Sequence, residues 1–392
     1  MDYLRDQKLN NKKVLLRVDL NTPIQNSIVS NDERIVRCLP TIKNILENKG
    51  RLTILSHLGR PKESGFFQSE FSLQPVAQRL GELLGQKIDL VAEIRDWTPP
   101  APGNLNMLEN VRFLEGEKSN APSLSKVFAD MCDIYVMDAF ATSHRAHAST
   151  VGAILLAHQA CAGFLLEEEL SALSKLNNNE SRPSVAVLGG AKISTKLNLI
   201  NSLADKMDFV VLGGGIANTC LAAKGIEIGS SLCERDMLEE ALELANKENV
   251  ILPNKVVVSN SIKGKARIVD VKSINPEESI FDIAPESFHF IEDIFKQAKI
   301  ILWNGPVGLF EEPQFMAGTA CIARMIVSSE GYSVGGGGDT IAAAGKLGLL
   351  KDIDYMSTAG GAFLEYLEGR DLPALEALRT KAFESNKNLA YD

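Results

Sequence analysis

Between residues 17 and 147 the chain repeatedly places basic side chains just after apolar runs. RVDLNTP (17–23) brings Arg17, Asp19 and Asn21, and Arg34 follows in the next helical stretch. HLGRP (57–61) brings His57, Leu58, Gly59 and Arg60 in a strand-end turn, LENVRFL (108–114) brings Arg112, and AFATSHRAH (139–147) brings His144, Arg145 and His147. A guanidinium is a rigid fork of donors that matches phosphate and carboxylate oxygens two at a time. One such arginine reads as a surface charge, but several at strand ends mark a pocket for a small, highly charged anion. The chain carries 41 basic against 50 acidic residues, a net charge of −9, so attraction for an anion has to be local. The same balance argues against nucleic acid or an anionic membrane as a partner. His144 and His147 lack a third ligand or a cysteine pair at metal spacing, which disfavours zinc.

The second half changes vocabulary from arginine to glycine. Five glycine-containing turns follow strand-like runs: GGAK (189–192), GGG (213–215), NGPVG (304–308), GGGGD (335–339) and AGGA (359–362). In a parallel sheet such turns gather at the carboxyl ends of the strands, where backbone N–H groups and helix N-termini receive phosphate. Any single one is an ordinary turn; five together point to a nucleotide. No GxxxxGK[ST] occurs, and the matches to GxGxxG are incomplete, with Asn218 or Thr340 in the last place. A nicotinamide-dependent dehydrogenase acting on an acidic substrate is the alternative these turns leave open. Lys192 and Lys196, four residues apart, would share one face if they lay on a helix, pointing two ammonium groups at phosphates or simply at solvent.

The elements that must position these residues are short apolar runs separated by helix-like stretches: 14–20, 52–59, 133–140, 184–190, 208–215, 300–306 and 332–339. Continuously apolar strands spaced by helices predict parallel sheets covered on both faces, an α/β fold. The spacing of Ile35, Val36, Leu39, Ile42, Ile45 and Leu46 predicts a helix capped by Asn31 or Asp32, ended by Gly50 and bent at Pro40. With 392 residues, the chain fits two domains, and the polar stretch EEELSALSKLNNNESRP (167–183) marks their junction. No apolar run is long enough to span a bilayer, and the polar start MDYLRDQKLN carries no export signal. Six dispersed cysteines argue against a disulfide framework and for a reduced, cytoplasmic setting.

RVDLNTP, SHLGRP, LENVRF, DAFATSHRAHAST, LGGAKISTK, LGGGIA, WNGPVGLFE and GGGGDT, in this order over essentially the whole chain, resemble the phosphoglycerate kinase family. The resemblance implies two Rossmann-like domains joined by a hinge: a phosphoglycerate-binding domain at 1–168, completed by a tail from about 376 to 392, and a nucleotide-binding domain at 169–375. It implies a phosphotransferase with a carboxyl acceptor, moving a phosphoryl group between 1,3-bisphosphoglycerate and ADP in glycolysis and gluconeogenesis, in line after domain closure, with magnesium, and usually as a monomer. By resemblance, Asp19, Asn21, Arg34, His57, Leu58, Gly59, Arg60, Arg112 and Arg145 match phosphoglycerate-binding positions. Lys192, Lys196, Gly213, Asn304, Glu311, Gly337, Gly338, Asp339 and Thr340 match nucleotide-binding positions, with Asp339 on the magnesium, and Lys192 and Arg34 offsetting transition-state charge. The chain departs from the family pattern at Leu20, Thr22, Ala141, Ser143, Ala284, Ala359 and Phe363. If Ala359 had to adopt positive φ it would be strained, and a binding protein that has lost catalysis is the reading Ala284 and Ala359 leave open.

Overall fold

The computed structural model describes residues 1–177 and 182–389. Part of the polar junction (178–181) and the last residues of the expected tail (390–392) lie outside the described residues. The chain divides into two compact units, Met1–Leu170 with Asp371–Asp392, and Ser171–Arg370. The return to the first unit comes earlier in the chain than about 376, because the helix Pro373–Leu389 docks there from its first turn. The Ala374 amide donates to the Ser143 carbonyl at 3.0 Å, and Lys381 Nζ donates to the Leu155 carbonyl at 3.2 Å.

The first unit is built on six parallel strands: β1 (Lys13–Val18), β2 (Arg51–Leu55), β3 (Asp89–Val91), β4 (Leu105–Leu108), β5 (Ile134–Asp138) and β6 (Gln159–Ala162). Their order across the sheet is β3-β4-β2-β1-β5-β6. β1 lies between β2 and β5; the chain runs from β1 to β2 and outward, then crosses from β4 to β5 on the other side of β1, and this switch opens a crevice at the carboxyl ends of β1 and β5. The helix Glu33–Glu47 buries Ile35, Cys38, Ile42 and Ile45. Asn31, not Asp32, supplies its cap: Asn31 Oδ1 accepts the Glu33 amide at 3.0 Å, while Asp32 is drawn off by Arg79 at 2.7 Å. Pro40 sits inside an uninterrupted helix. The reversal after it falls at Lys49, with φ 58°, rather than at Gly50.

The second unit has β7 (Ser184–Leu188), β8 (Phe209–Leu212) and β9 (Val250–Ile251), then a small antiparallel sheet of β10 (Lys255–Ser259), β11 (Arg267–Asp270) and β12 (Ser279–Ile283) that the sequence pattern did not reveal. β13 (Ile300–Asn304), β14 (Tyr332–Gly336) and β15 (Tyr355–Ser357) return to the parallel sheet, whose order is β9-β8-β7-β13-β14-β15. With the insertion set aside, this is the doubly wound mononucleotide order, and its switch point lies between β7 and β13. Each unit has its own apolar core. All six cysteines are free thiols, and no described helix is long and apolar enough to cross a membrane.

Candidate functional site

On the first unit, the basic residues follow the carboxyl ends of β1, β2, β4 and β5. Arg17 lies within β1, 1% exposed, paired in register with Leu55 and Met137. Its Nε donates to Ser149 Oγ at 3.0 Å, and Ser149 Oγ donates to the fully buried Glu117 at 2.5 Å. Burial raises the Glu117 carboxyl, but two hydrogen bonds from Ser149 and the guanidiniums of Arg17 and Arg112 oppose that rise. Arg17 Nη2 contacts His57 Nδ1 at 3.3 Å. A guanidinium only donates, so Nδ1 accepts and the ring proton resides on Nε2. Burial, then Arg17, Arg112, Arg145 and Arg34, push the His57 pKa well below its ordinary value. His57 is therefore a neutral donor at neutral pH, ringed by four guanidiniums.

The remaining groups fix one another. Arg34, in the first turn of its helix where a cation opposes the dipole, is held by an ion pair to Asp19. Asp19 Oδ1 accepts the Asn21 amide at 3.1 Å. Asn21 Oδ1 in turn accepts the Gly59 amide at 2.8 Å, and Arg112 donates to the Gly59 carbonyl at 2.5 Å. The turn after β2 is thus clamped at both ends of one residue, Gly59, whose φ of 60° suits glycine. Leu58 is buried beneath it and Arg60 is exposed at its end. Arg145 is half-buried, with Nε on His144 Nε2 at 3.2 Å. Burial, then Arg145 and Arg17, lower the Arg112 pKa to about 10. Such crowding of like charge is costly unless an anion relieves it.

On the second unit, residues from four of the five glycine turns line a cavity of ≈ 520 Å³, and none from AGGA (359–362) does. Its walls join backbone at Gly190, Gly214 and Gly215 and the carboxylates of Asp282, Glu311 and Asp339 to apolar groups including Leu232, Phe281, Pro306 and Leu309. Two helices begin at it, Gly214–Ala223 and Gly338–Lys346, with Asp339 exposed in the first turn of the second. Lys192 and Lys196 do not share a helix, because the helix starts only at Leu197 and both belong to the turn after β7. Lys192 is exposed, on a turn anchored where Glu234 accepts the Ser194 amide at 2.9 Å and its hydroxyl at 2.7 Å. Lys196 Nζ turns inward at the switch point, donating to Gly189 O (2.7 Å), Asn304 O (3.2 Å) and Asn304 Oδ1 (2.6 Å). Burial lowers its pKa to about 8, against a smaller opposing pull from Asp339.

Several other sequence expectations are relocated. Gly213 is not on the cavity wall; a Cβ there would overlap Val307, so its bareness serves packing, and Gly214 and Gly215 reach the cavity. Asn304 is 2% exposed and orients Lys196, while its Nδ2 donates to Gly336 O at 2.6 Å. Thr340 is fully buried, and its hydroxyl is spent on Gly336 O and the Gly305 amide, both at 2.8 Å. In the four-glycine run, a Cβ at Gly335 would strike Met356 and one at Gly336 would strike the Phe363 ring. Gly337 has φ 101°, and Gly338 faces open space. Ala359 is not in the positive-φ region, which Gly360 occupies instead at 55°, and Ala284 has φ −68°. The strain that motivated a reading without catalysis is absent at both alanines. Sequence reasoning missed the buried Arg17 network, the cavity residues Leu232 and Phe281, and Asp282; an acid closing the apolar strand SIFDI was the available signal for the last.

These two rims define the class: an α/β protein with two parallel sheets, one carrying a basic crevice for a compact anion and the other a glycine-lined nucleotide-type pocket at its switch point. A family model described as phosphoglycerate kinase matches residues 4–370. Proteins named phosphoglycerate kinase from Coxiella burnetii and Vibrio campbellii are 48% identical over 383 residues (96% of this chain, 98% of that one) and 46% identical over 381 residues (97% and 98%). Solved phosphoglycerate kinases from Coxiella burnetii and Pyrococcus horikoshii superpose with TM-scores of 0.93 and 0.82 at 47% and 31% identity, each covering 97% of this chain and 99% of the other. The chain belongs to the phosphoglycerate kinase family.

Proposed function

We propose that the chain catalyses reversible phosphoryl transfer between 1,3-bisphosphoglycerate and ADP, giving 3-phosphoglycerate and ATP. The observation that carries this reading is the division of labour between the sheets. His57 and four guanidiniums form an anion crevice on one, while Asp339, Glu311 and four glycines (Gly190, Gly214, Gly215 and Gly308) line a nucleotide-sized cavity on the other, with the Lys196 amine bonded to Gly189 O in the turn that supplies Gly190. Phosphoryl transfer asks a protein for alignment and charge stabilisation rather than for a nucleophile of its own. The acceptor carboxylate is already ionised, so no general base is needed. His57 Nε2–H and the guanidiniums of Arg112 and Arg145 hold the phosphoglycerate, Arg60 closes over it from its exposed position, and the Asp19 carboxylate keeps Arg34 aimed. Lys192 meets the transferring group from its anchored turn. The helix N-terminus at Gly338 and the bare backbone of Gly337 and Gly338 receive the nucleotide phosphates, and Glu311 takes the ribose.

An exposed carboxylate in the first turn of a helix on the cavity wall, with no cluster of three or more potential ligands among the described residues, is the donor set for a cation that arrives on phosphates rather than in a protein cage. Asp339 fits magnesium in that sense; when bound, the ion offsets charge on the phosphate oxygens. The chain acts as a cytoplasmic monomer, and transfer follows hinge closure of the two units, which excludes water from the acyl phosphate. Paired titrations test the assignment. Arg112→Met should weaken 3-phosphoglycerate and spare ADP, while Asp339→Ala should weaken Mg-ADP and spare 3-phosphoglycerate; equal losses of both ligands in either variant would contradict it.

A further inference from the structure

Asp282 closes β12 on the cavity wall and is 1% exposed, yet no step of the proposed reaction uses it. Its two oxygens accept different backbone donors: Oδ1 the Ile283 amide at 2.9 Å and Oδ2 the Gly318 amide at 2.7 Å. Gly318 is in the first turn of the helix Ala317–Val327, whose N-cap, Met316, has no oxygen to offer, so a carboxylate from a neighbouring strand does the capping. The loop from Pro306 to Glu311, a wall of the same cavity, is seated on this assembly residue by residue. The Val307 amide donates to Thr319 Oγ1 at 3.2 Å, a Cβ on Gly308 would overlap the Asp282 carboxylate, and the Leu309 amide donates to Phe281 O at 2.8 Å.

We propose that ionised Asp282 is a positioning residue for nucleotide binding: it clamps the Pro306–Glu311 loop between β12 and the helix Ala317–Val327. This rests on the reading of the cavity as the nucleotide site. Two N–H donors converge on two oxygens, and a carboxylate accepts from both; an amide turns a donor toward one of them, and a carboxylic acid keeps only a weakly accepting hydroxyl oxygen there. Burial opposes the ionised form and raises the Asp282 pKa to about 7, with the Gly318 and Ile283 amides pulling it back. The other titratable and charged groups of the neighbourhood are Cys321 and Arg324 on the capped helix, Glu286 and Glu292 on the segment before β13, and Glu311 and Asp339 on the cavity wall. Nucleotide affinity should therefore gain as Asp282 loses its proton.

The test uses adenosine as probe, because it carries no phosphate to titrate, with the full chain in calorimetry between about pH 6 and pH 8. The wild type should bind adenosine several-fold more tightly at the upper end. Asp282→Asn should bind it more weakly throughout with a flat profile, raise KM for ADP several-fold, and leave KM for 3-phosphoglycerate unchanged. Thr319→Val, which loosens the same loop without touching the carboxylate, should weaken adenosine but keep the wild-type pH slope. A flat wild-type profile, or a slope that survives Asp282→Asn, overturns the proposal, and the wild-type series decides alone if Asp282→Asn does not fold. Absence of both adenosine and ADP binding by the wild type would instead overturn the reading of the cavity.

Discussion

Lys196 offers a proton count as a measure of nucleotide binding. Its amine is buried against three oxygens, none of them an anion, and its pKa stands at about 8 where a free lysine has 10.5. A phosphate oxygen at roughly 4 Å would contribute about 4 kcal/mol at an effective dielectric of about 20, enough to return the amine to its ordinary range. Near pH 8 half of the free protein has a neutral Lys196, so binding ADP without magnesium should take up about 0.5 proton per site. Because the bound form is fully protonated, affinity should fall about tenfold between pH 7 and pH 9. The sign follows from the lowered pKa: the free protein loses its proton first, and rising pH works against the anion. Calorimetry in two buffers of different ionisation enthalpy reads the uptake directly. Lys196→Met should abolish it. Heats that do not depend on the buffer, or an uptake that persists in Lys196→Met, would refute the placement of phosphate beside this amine.

Three further outcomes follow from the same geometry. Gly336→Ala drives a methyl into the Phe363 ring and should cost about 1–3 kcal/mol in urea unfolding. Gly338→Ala meets nothing within 4 Å and should alter stability by less than about 0.5 kcal/mol while weakening ADP. Lys192→Ala removes an exposed amine that holds no element in place, so ADP affinity should stay near wild type while turnover in a coupled assay falls by orders of magnitude.

The sequence carried the α/β class and both rims of chemistry because these depend on local pattern: apolar runs, turns after them, and the side chains set in the turns. What it hid depends on partners far along the chain. Gly335 and Gly336 look like phosphate-loop glycines until Met356 and Phe363 are found packed on them. Asp32 and Asn31 were equivalent caps until Arg79, 47 residues away, claimed one of them. Lys192 and Lys196 have helical spacing, but the turn after β7 delays the helix to Leu197 and sends the two amines to different tasks. Arg17 is the last residue but one of β1, and its burial is legible only once Ser149 and Glu117 are seen to receive it. The antiparallel insertion β10–β12 supplied Asp282 and Phe281 to the cavity with no glycine turn to announce them.

The most direct measurement is a coupled assay of the purified chain with 3-phosphoglycerate, ATP and magnesium. The account predicts formation of ADP and 1,3-bisphosphoglycerate that requires all three components, and the reverse flux from 1,3-bisphosphoglycerate and ADP. Binding of both ligands with no turnover, or reduction of a nicotinamide cofactor with no ADP binding, would contradict it.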